Sequence, residues 1–213
     1  MRGGGYDAVL LDLLTGVLDS WTLWSSVAGD EGAGTGWRRR YLELTYGQGD
    51  YAPYELLVAR AAEDVGLPRS LADDLLARWA ELTPWPEAPA VLGAIARELP
   101  IGVVTNCSAA LGAAAAAQVP VAFATVVTAE RAGAYKPRPA AYLLALAELG
   151  LPADRVLFVA GSAFDLPGAT GAGMDVWWHN RAGMTAPAGA PAPIGEARSL
   201  EPLLEVLGGS ARH

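Results

Sequence analysis

Several short stretches of the chain are continuously apolar, and most are separated by segments whose apolar residues recur at helical spacing. The runs at 9–11, 101–105, near 121–127, 156–160 and 175–178 are bounded by turn residues or by helix starts. Runs of that length and uniformity predict strands buried on both faces. Single helices are predicted between them at 87–98, 108–118, 138–149 and about 165–172, and one helix per crossover implies right-handed parallel connections. The expected fold is α/β, a doubly wound parallel sheet. Residues 182–198 are rich in Gly, Ala and Pro and read as a surface connection. From Ser199 a last short helix presents Leu200, Leu203, Leu204 and Leu207 to the core.

The pattern changes between about residues 20 and 82. Trp21, Trp24, Trp37, Tyr41, Tyr46, Tyr51, Tyr54 and Trp79 are spread through helix-period segments, and no strand is predicted there. Pro53 marks a helix start, Ser70-Leu71-Ala72-Asp73 resembles a capping box, and 47–50 and 66–68 read as turns. Pro84, Pro86 and Pro89 crowd the exit, which reads as a linker because proline cannot sit inside a helix. The expected organisation is therefore a core domain at 1–18 and 84–213 with a helical cap domain inserted at 19–83.

Composition narrows the function. The 213 residues are 52% hydrophobic and carry a net charge of −8, so a nucleic-acid or anionic-membrane partner is not expected and an anionic small molecule must be caught by local cations. The lone cysteine, Cys107, rules out an internal disulfide framework and suits a reducing, cytoplasmic location. The N-terminus has Arg2 but no apolar leader pattern, and no stretch approaches the roughly 18 apolar residues of a membrane span.

In a doubly wound sheet, the strand C-termini line the reactive crevice. Asp12 ends the first strand, where it reads either as a turn residue or as a nucleophile. Thr105-Asn106 leads from a strand into a helix and reads either as part of a cap or as an anion site built from hydroxyl, amide and helix N–H groups. Asp165 follows another strand. Two carboxylates in one crevice need a cation, and Lys136 is the best placed in chain order. Trp21, Trp24 and Trp37 are either core or the walls of a dry pocket. Cys107 with His179 or His213 offers little for a Cys–His nucleophile pair.

Taken in order, these segments resemble the haloacid dehalogenase superfamily, and most closely its L-2-haloacid dehalogenases, over roughly residues 6–183. Asp12-Leu13-Leu14-Thr15-Gly16-Val17-Leu18-Asp19 is similar to the opening motif, with Asp12 as nucleophile. Trp37-Arg38 resembles the cap segment whose Arg takes the leaving halide. Thr105-Asn106 resembles the pair that binds the substrate carboxylate and cradles the halide. Tyr135-Lys136-Pro137 with Tyr142, and the segment 158–165 ending in Asp165, resemble the later motifs, and Asn180-Arg181-Ala182-Gly183 also matches. The resemblance implies a catalytic set of Asp12, Lys136 and Asp165. It implies substrate or halide contacts from Arg38, Thr105, Asn106, Tyr142, Leu13, Leu14 and Ser162. It further implies no cofactor, and dimers are common in that branch.

The departures are informative. The superfamily's phosphatases carry a general-acid Asp where this chain has Leu14, which transfers no proton. They also bind Mg²⁺ through an acidic residue at the position of Ser162, so Mg²⁺ is expected only for a phosphatase. The dehalogenase branch has a hydroxyl that braces the nucleophile at the position of Gly16, and this sequence offers Thr15 one residue earlier. It has Ser and Asn at the positions of Ala160 and Ser162. The alternatives are another hydrolase of the superfamily or a binding protein that has lost catalysis.

Overall fold

The first apolar run forms strand β1 (Ala8–Asp12), every residue of it buried. The structure, a computed structural model, describes residues 5–209, so Arg2 and His213 lie outside the described residues. Five further strands follow: β2 (Ile101–Thr105), β3 (Thr125–Thr128), β4 (Val156–Ala160), β5 (Asp175–His179) and β6 (Gly195–Ala197). They form one sheet in the order β3-β2-β1-β4-β5-β6, with every neighbouring pair parallel. This is the doubly wound parallel sheet expected from the sequence.

Alternation along β1 divides the core in two. Val9 and Leu11 join an apolar cluster on one face, while Ala8 and Leu10 join a second cluster on the other. The period of two sends successive side chains to opposite faces, so a strand apolar at every position needs both faces covered. Helices α5 (Ala88–Ile95) and α6 (Ala109–Ala116) supply apolar residues to the first cluster. Helices α8 (Pro139–Leu149) and α9 (Asp165–Gly171) supply the second. A short α7 (Ala129–Ala132) precedes α8, and α10 (Leu203–Gly209) closes the described chain.

Between β1 and β2 lies the helical cap: α1 (Ser20–Ala28), α2 (Glu31–Gln48), α3 (Tyr54–Asp64) and α4 (Leu71–Ala77), then a 3-10 turn at Trp79–Glu81. Asp19 and Asp30 cap α1 and α2 by accepting the Thr22 and Ala33 N–H groups. Trp24, Trp37, Tyr41, Tyr54 and Trp79 are buried and continue the core of the Val9 face.

Local expectations differ in places. Residues 182–198 contain β6, which no apolar run announced because Gly195-Glu196-Ala197 lies at the sheet edge and is only partly buried. The strand expected near 121–127 begins only at Thr125, after the turn residues that leave α6. The side chain of Ser70 makes no capping bond to α4. Gly47 and Gln48 complete the last turn of α2, and Pro89 occupies the first turn of α5, where its missing N–H costs nothing.

Candidate active site

Register brings the strand ends together. Asp12, the last residue of β1, lies level with Val104 of β2, and Leu11 lies level with Val159 of β4, so the loops after all three strands open at one edge. The turn after β1 folds back onto its own carboxylate. Asp12 Oδ2 accepts the Thr15 N–H at 2.8 Å, the Gly16 N–H at 3.0 Å and the Thr15 hydroxyl at 2.6 Å. The hydroxyl brace is therefore present, supplied by Thr15. A side chain at Gly16 would collide with the Asp12 carbonyl, and one at Gly161 would collide with the backbone of Thr15 and Gly16. Both glycines permit the close approach of the β1 and β4 loops.

The other oxygen, Asp12 Oδ1, accepts from Lys136 Nζ at 2.6 Å. The same ammonium lies 3.0 Å from Asp165 Oδ1, which also accepts the Tyr142 hydroxyl at 3.0 Å. Asp165 Oδ2 is buried and has no partner among the described residues. Lys136 is aimed by its backbone: its N–H donates to Asn106 Oδ1 at 2.8 Å, and its carbonyl accepts from Asn106 Nδ2 at 3.1 Å.

Burial raises the pKa of Asp12, but the Lys136 charge and the bonds from Lys136 and Thr15 outweigh it and leave the carboxyl below its ordinary range. Asp165 goes the other way, raised chiefly by burial. Burial alone would lower Lys136, yet the two carboxylates beside it hold it above the ordinary lysine value. Two carboxyls with opposite shifts around one ammonium suit distinct roles.

Arg38 approaches from α2. It is 1% exposed, and its Nε and Nη1 have no hydrogen-bond partner among the described residues. The guanidinium carbon lies 4.9 Å from the ring centre of Trp24, 5.2 Å from Tyr41 and 6.0 Å from Trp21. Aromatic faces soften the burial of the cation but leave its N–H groups unsatisfied.

Asp12, Lys136, Asp165 and Arg38 line one cavity of about 30 Å³. A water needs roughly 10–15 Å³ by this measure, so the space suits a molecule of a few heavy atoms. Leu14, Asn106 and Ser162 also line it, but Leu13, Thr105 and Tyr142 do not. The Leu13 side chain is wholly buried in the core, and the hydroxyl of Thr105 is buried and faces the Cys107 thiol at 3.8 Å. Tyr142 reaches the site only through Asp165. The anion site expected of the β2–α6 loop is thus already occupied internally: Asn106 holds Lys136, and the first N–H of α6, from Ala109, donates to Glu130 at 2.6 Å. Burial pushes the Cys107 thiol up to about 12, which leaves little thiolate for a nucleophile near neutrality.

Five lining residues were not singled out from the sequence. Tyr41, Leu42, Thr45 and Tyr46 lie three, four, seven and eight residues after Arg38, on one face of α2, and the Phe164 ring, which also lines the cavity, lies 4.7 Å from that of Tyr46, centre to centre. Helical periodicity counted from Arg38 would have found the first four.

A family model described as haloacid dehalogenase-like hydrolase matches residues 9–173. An (S)-2-haloacid dehalogenase of Pseudomonas putida is 31% identical over 162 residues, covering 68% of this chain and 69% of its own. A solved L-2-haloacid dehalogenase, RSc1362, superposes with a TM-score of 0.83 at 25% identity, covering 96% of this chain and 99% of the other. The L-2-haloacid dehalogenase of Xanthobacter autotrophicus, solved with chloropropionic acid covalently bound, has the same TM-score at 22% identity, covering 97% of this chain and 100% of the other.

Proposed function

The chain belongs to the haloacid dehalogenase-like hydrolase family, and from that premise we propose that it hydrolyses small 2-halo acids to 2-hydroxy acids and halide through an ester on Asp12. The observation that carries this reading is Arg38. A buried guanidinium with two unsatisfied nitrogens, facing the same small cavity as the carboxylate, calls for an anion delivered by the reaction. A departing halide is such an anion.

Asp12 Oδ2 is held by three donors, while Oδ1 has only Lys136, so Oδ1 is the attacking atom. It displaces the halogen from the α-carbon, and the C–X bonding pair leaves with the halide toward Arg38. The substrate carboxylate is held on the core wall by the Ser162 hydroxyl, whose oxygen accepts the Phe164 N–H and whose proton is left to donate. In the second step, a water loses its proton to the unpartnered Asp165 Oδ2 and attacks Asp12 Cγ. Negative charge then develops on Oδ2, already facing the Thr15 and Gly16 N–H groups, which act as an oxyanion hole. Cleavage of the bond from Cγ to the former Oδ1 expels the alkoxide, which takes back the proton from Asp165 and leaves as the hydroxy acid, while the restored Asp12 carboxyl loses its proton to solvent. In the first turnover its new hydroxyl oxygen comes from the enzyme.

The phosphatase alternative is disfavoured by two features. Leu14 lines the cavity where a general acid would act, and Ser162, which offers no carboxylate, lines it at the position where the superfamily's phosphatases carry their Mg²⁺-binding acidic residue. No added cofactor is expected.

Incubation with L-2-chloropropionate in metal-free buffer should release chloride with lactate of inverted configuration. A single turnover in ¹⁸O water should label the Asp12 peptide and not the lactate. No halide from any of a panel of 2-halo acids would sink the reading.

A further inference from the structure

The turn that holds Asp12 Oδ2 is itself held from behind. The Thr15–Gly16 peptide gives its N–H to Asp12, while its carbonyl, on Thr15, accepts from the Trp85 indole N–H at 3.2 Å. The next carbonyl, on Gly16, is bonded to His179 Nδ1 at 2.8 Å. A carbonyl only accepts, so this nitrogen carries the proton. Both donors are fully or nearly buried and come from distant chain segments. Trp85 stands on the strand of chain returning from the cap, where its own N–H donates to the Val17 carbonyl at 2.9 Å. His179 ends β5.

The braces are built into a unit of their own. Arg181 lies over the Trp85 ring at 4.6 Å and pairs with Glu87 at 2.9 Å, and Glu87 Oε1 is 3.7 Å from His179 Nε2. None of these four residues lines the cavity.

We propose that Trp85 and His179 are positioning residues that lock the Thr15–Gly16 turn with its N–H groups aimed at Asp12 Oδ2, and so act on the ester-hydrolysis step. Glycine at position 16 gives this turn conformational freedom, and a rotated peptide would present a carbonyl to the carboxylate instead of an N–H. A donor fixed on the far side of the peptide forbids that rotation. Trp85 also polarises the Thr15–Gly16 amide, so that the Gly16 N–H becomes a better donor as charge develops, whereas His179 fixes the following peptide, whose own N–H, on Val17, donates to the Leu13 carbonyl. This rests on the ester mechanism given above.

The test compares Trp85→Phe, which keeps the ring under Arg181 and loses the N–H, with His179→Leu and with His179→Asn, which restores a donor. Stopped halide-release assays with 2-chloropropionate should show the first-turnover burst kept while kcat falls about 10- to 100-fold at little-changed KM, the range expected for misaligned donors. The Asp12 ester should accumulate on intact-mass analysis, and His179→Asn should recover most of what His179→Leu loses. Independently of turnover, the Thr15 and Gly16 amide proton resonances should move upfield in Trp85→Phe and His179→Leu. Equal slowing of burst and turnover, or unchanged amide resonances, would overturn the assignment. A wild-type protein that releases no halide sinks the dehalogenase reading instead, and the amide resonances alone then decide whether Trp85 and His179 position the turn.

Discussion

At Gly16 a single hydrogen in place of a methyl group decides whether the Thr15 and Gly16 N–H groups can reach Asp12 Oδ2. An added Cβ would press on the Asp12 carbonyl, a backbone atom that cannot swing aside as a flexible side chain would. Gly16→Ala must therefore move the turn, withdrawing the N–H groups from Oδ2. Losing one such donor costs ~10²–10³ in kcat, and overpacking of this kind costs about 1–3 kcal/mol of stability. Steady-state kinetics beside thermal unfolding would read the two effects separately, and near-wild-type turnover would show that the turn is not needed. Gly161→Ala presses on the same turn from the β4 side and should behave alike. The absence of a hydroxyl at position 16, suggestive of lost catalysis in the sequence, thus has a structural reason: the adjacent Thr15 carries the hydroxyl, and position 16 is where the two loops touch.

Helix α2 carries Arg38 into the cavity at a cost in stability, because a buried cation without a carboxylate is desolvated and unpaired. Arg38→Met keeps much of the volume among the aromatic rings and removes the charge. It should leave thermal stability unchanged or raise it by about 1 kcal/mol or more while abolishing halide release. In the wild type, bromide at 100 times its Kd should stabilise by ~2.7 kcal/mol, and in Arg38→Met it should not; a variant that still gains stability from bromide would place the anion elsewhere. Elements also differ in how far the sequence disclosed them. Strands β1, β2 and β4 were legible because burial on both faces demands uninterrupted apolar runs, whereas β6 is a three-residue edge strand with one face of the pattern missing. Asp12, Lys136, Asp165 and Arg38 were reachable because strand ends and motif order are one-dimensional signals. Trp85 and His179 were not, since their partners lie 70 and 163 residues away and a buried Trp or His looks like core in any window. Thr105 illustrates the converse: its residue type suggested an anion contact, but the packing of the loop satisfied it internally.

Across the whole molecule, the site draws one charge from each of four segments: Asp12 from β1, Arg38 from α2, Lys136 from the loop before α8 and Asp165 from the start of α9. Their titration separates the two chemical steps. Asp12 lies below the ordinary carboxylate range and Asp165 above it, so an acid window exists in which the nucleophile is charged and the base is protonated. In the proposed mechanism, halide release needs only an ionised Asp12, whereas ester hydrolysis needs an ionised Asp165 to take the proton of water. Lowering the pH into that window should therefore slow steady turnover while the single-turnover halide burst persists, and Asp165→Asn should show the same split at neutral pH. Lys136, raised by its two carboxylate neighbours despite burial, should stay charged beyond the ordinary lysine value of ~10.4, so no alkaline loss is expected from it near neutrality. The same shifts act on stability with different signs. Lys136 contributes fully below its unfolded value and loses its contribution as pH rises through the raised folded one, and Asp12 contributes above ~3.9 and loses it as pH falls through the lowered one. Asp165 costs stability once the pH exceeds its unfolded value, because unfolding lets it ionise. Asp165→Asn removes that cost together with one of the two partners of the Lys136 ammonium, so its reading is kinetic, a trapped ester at pH 7; burst and turnover that fall together with acid would refute the division of labour between the two carboxyls.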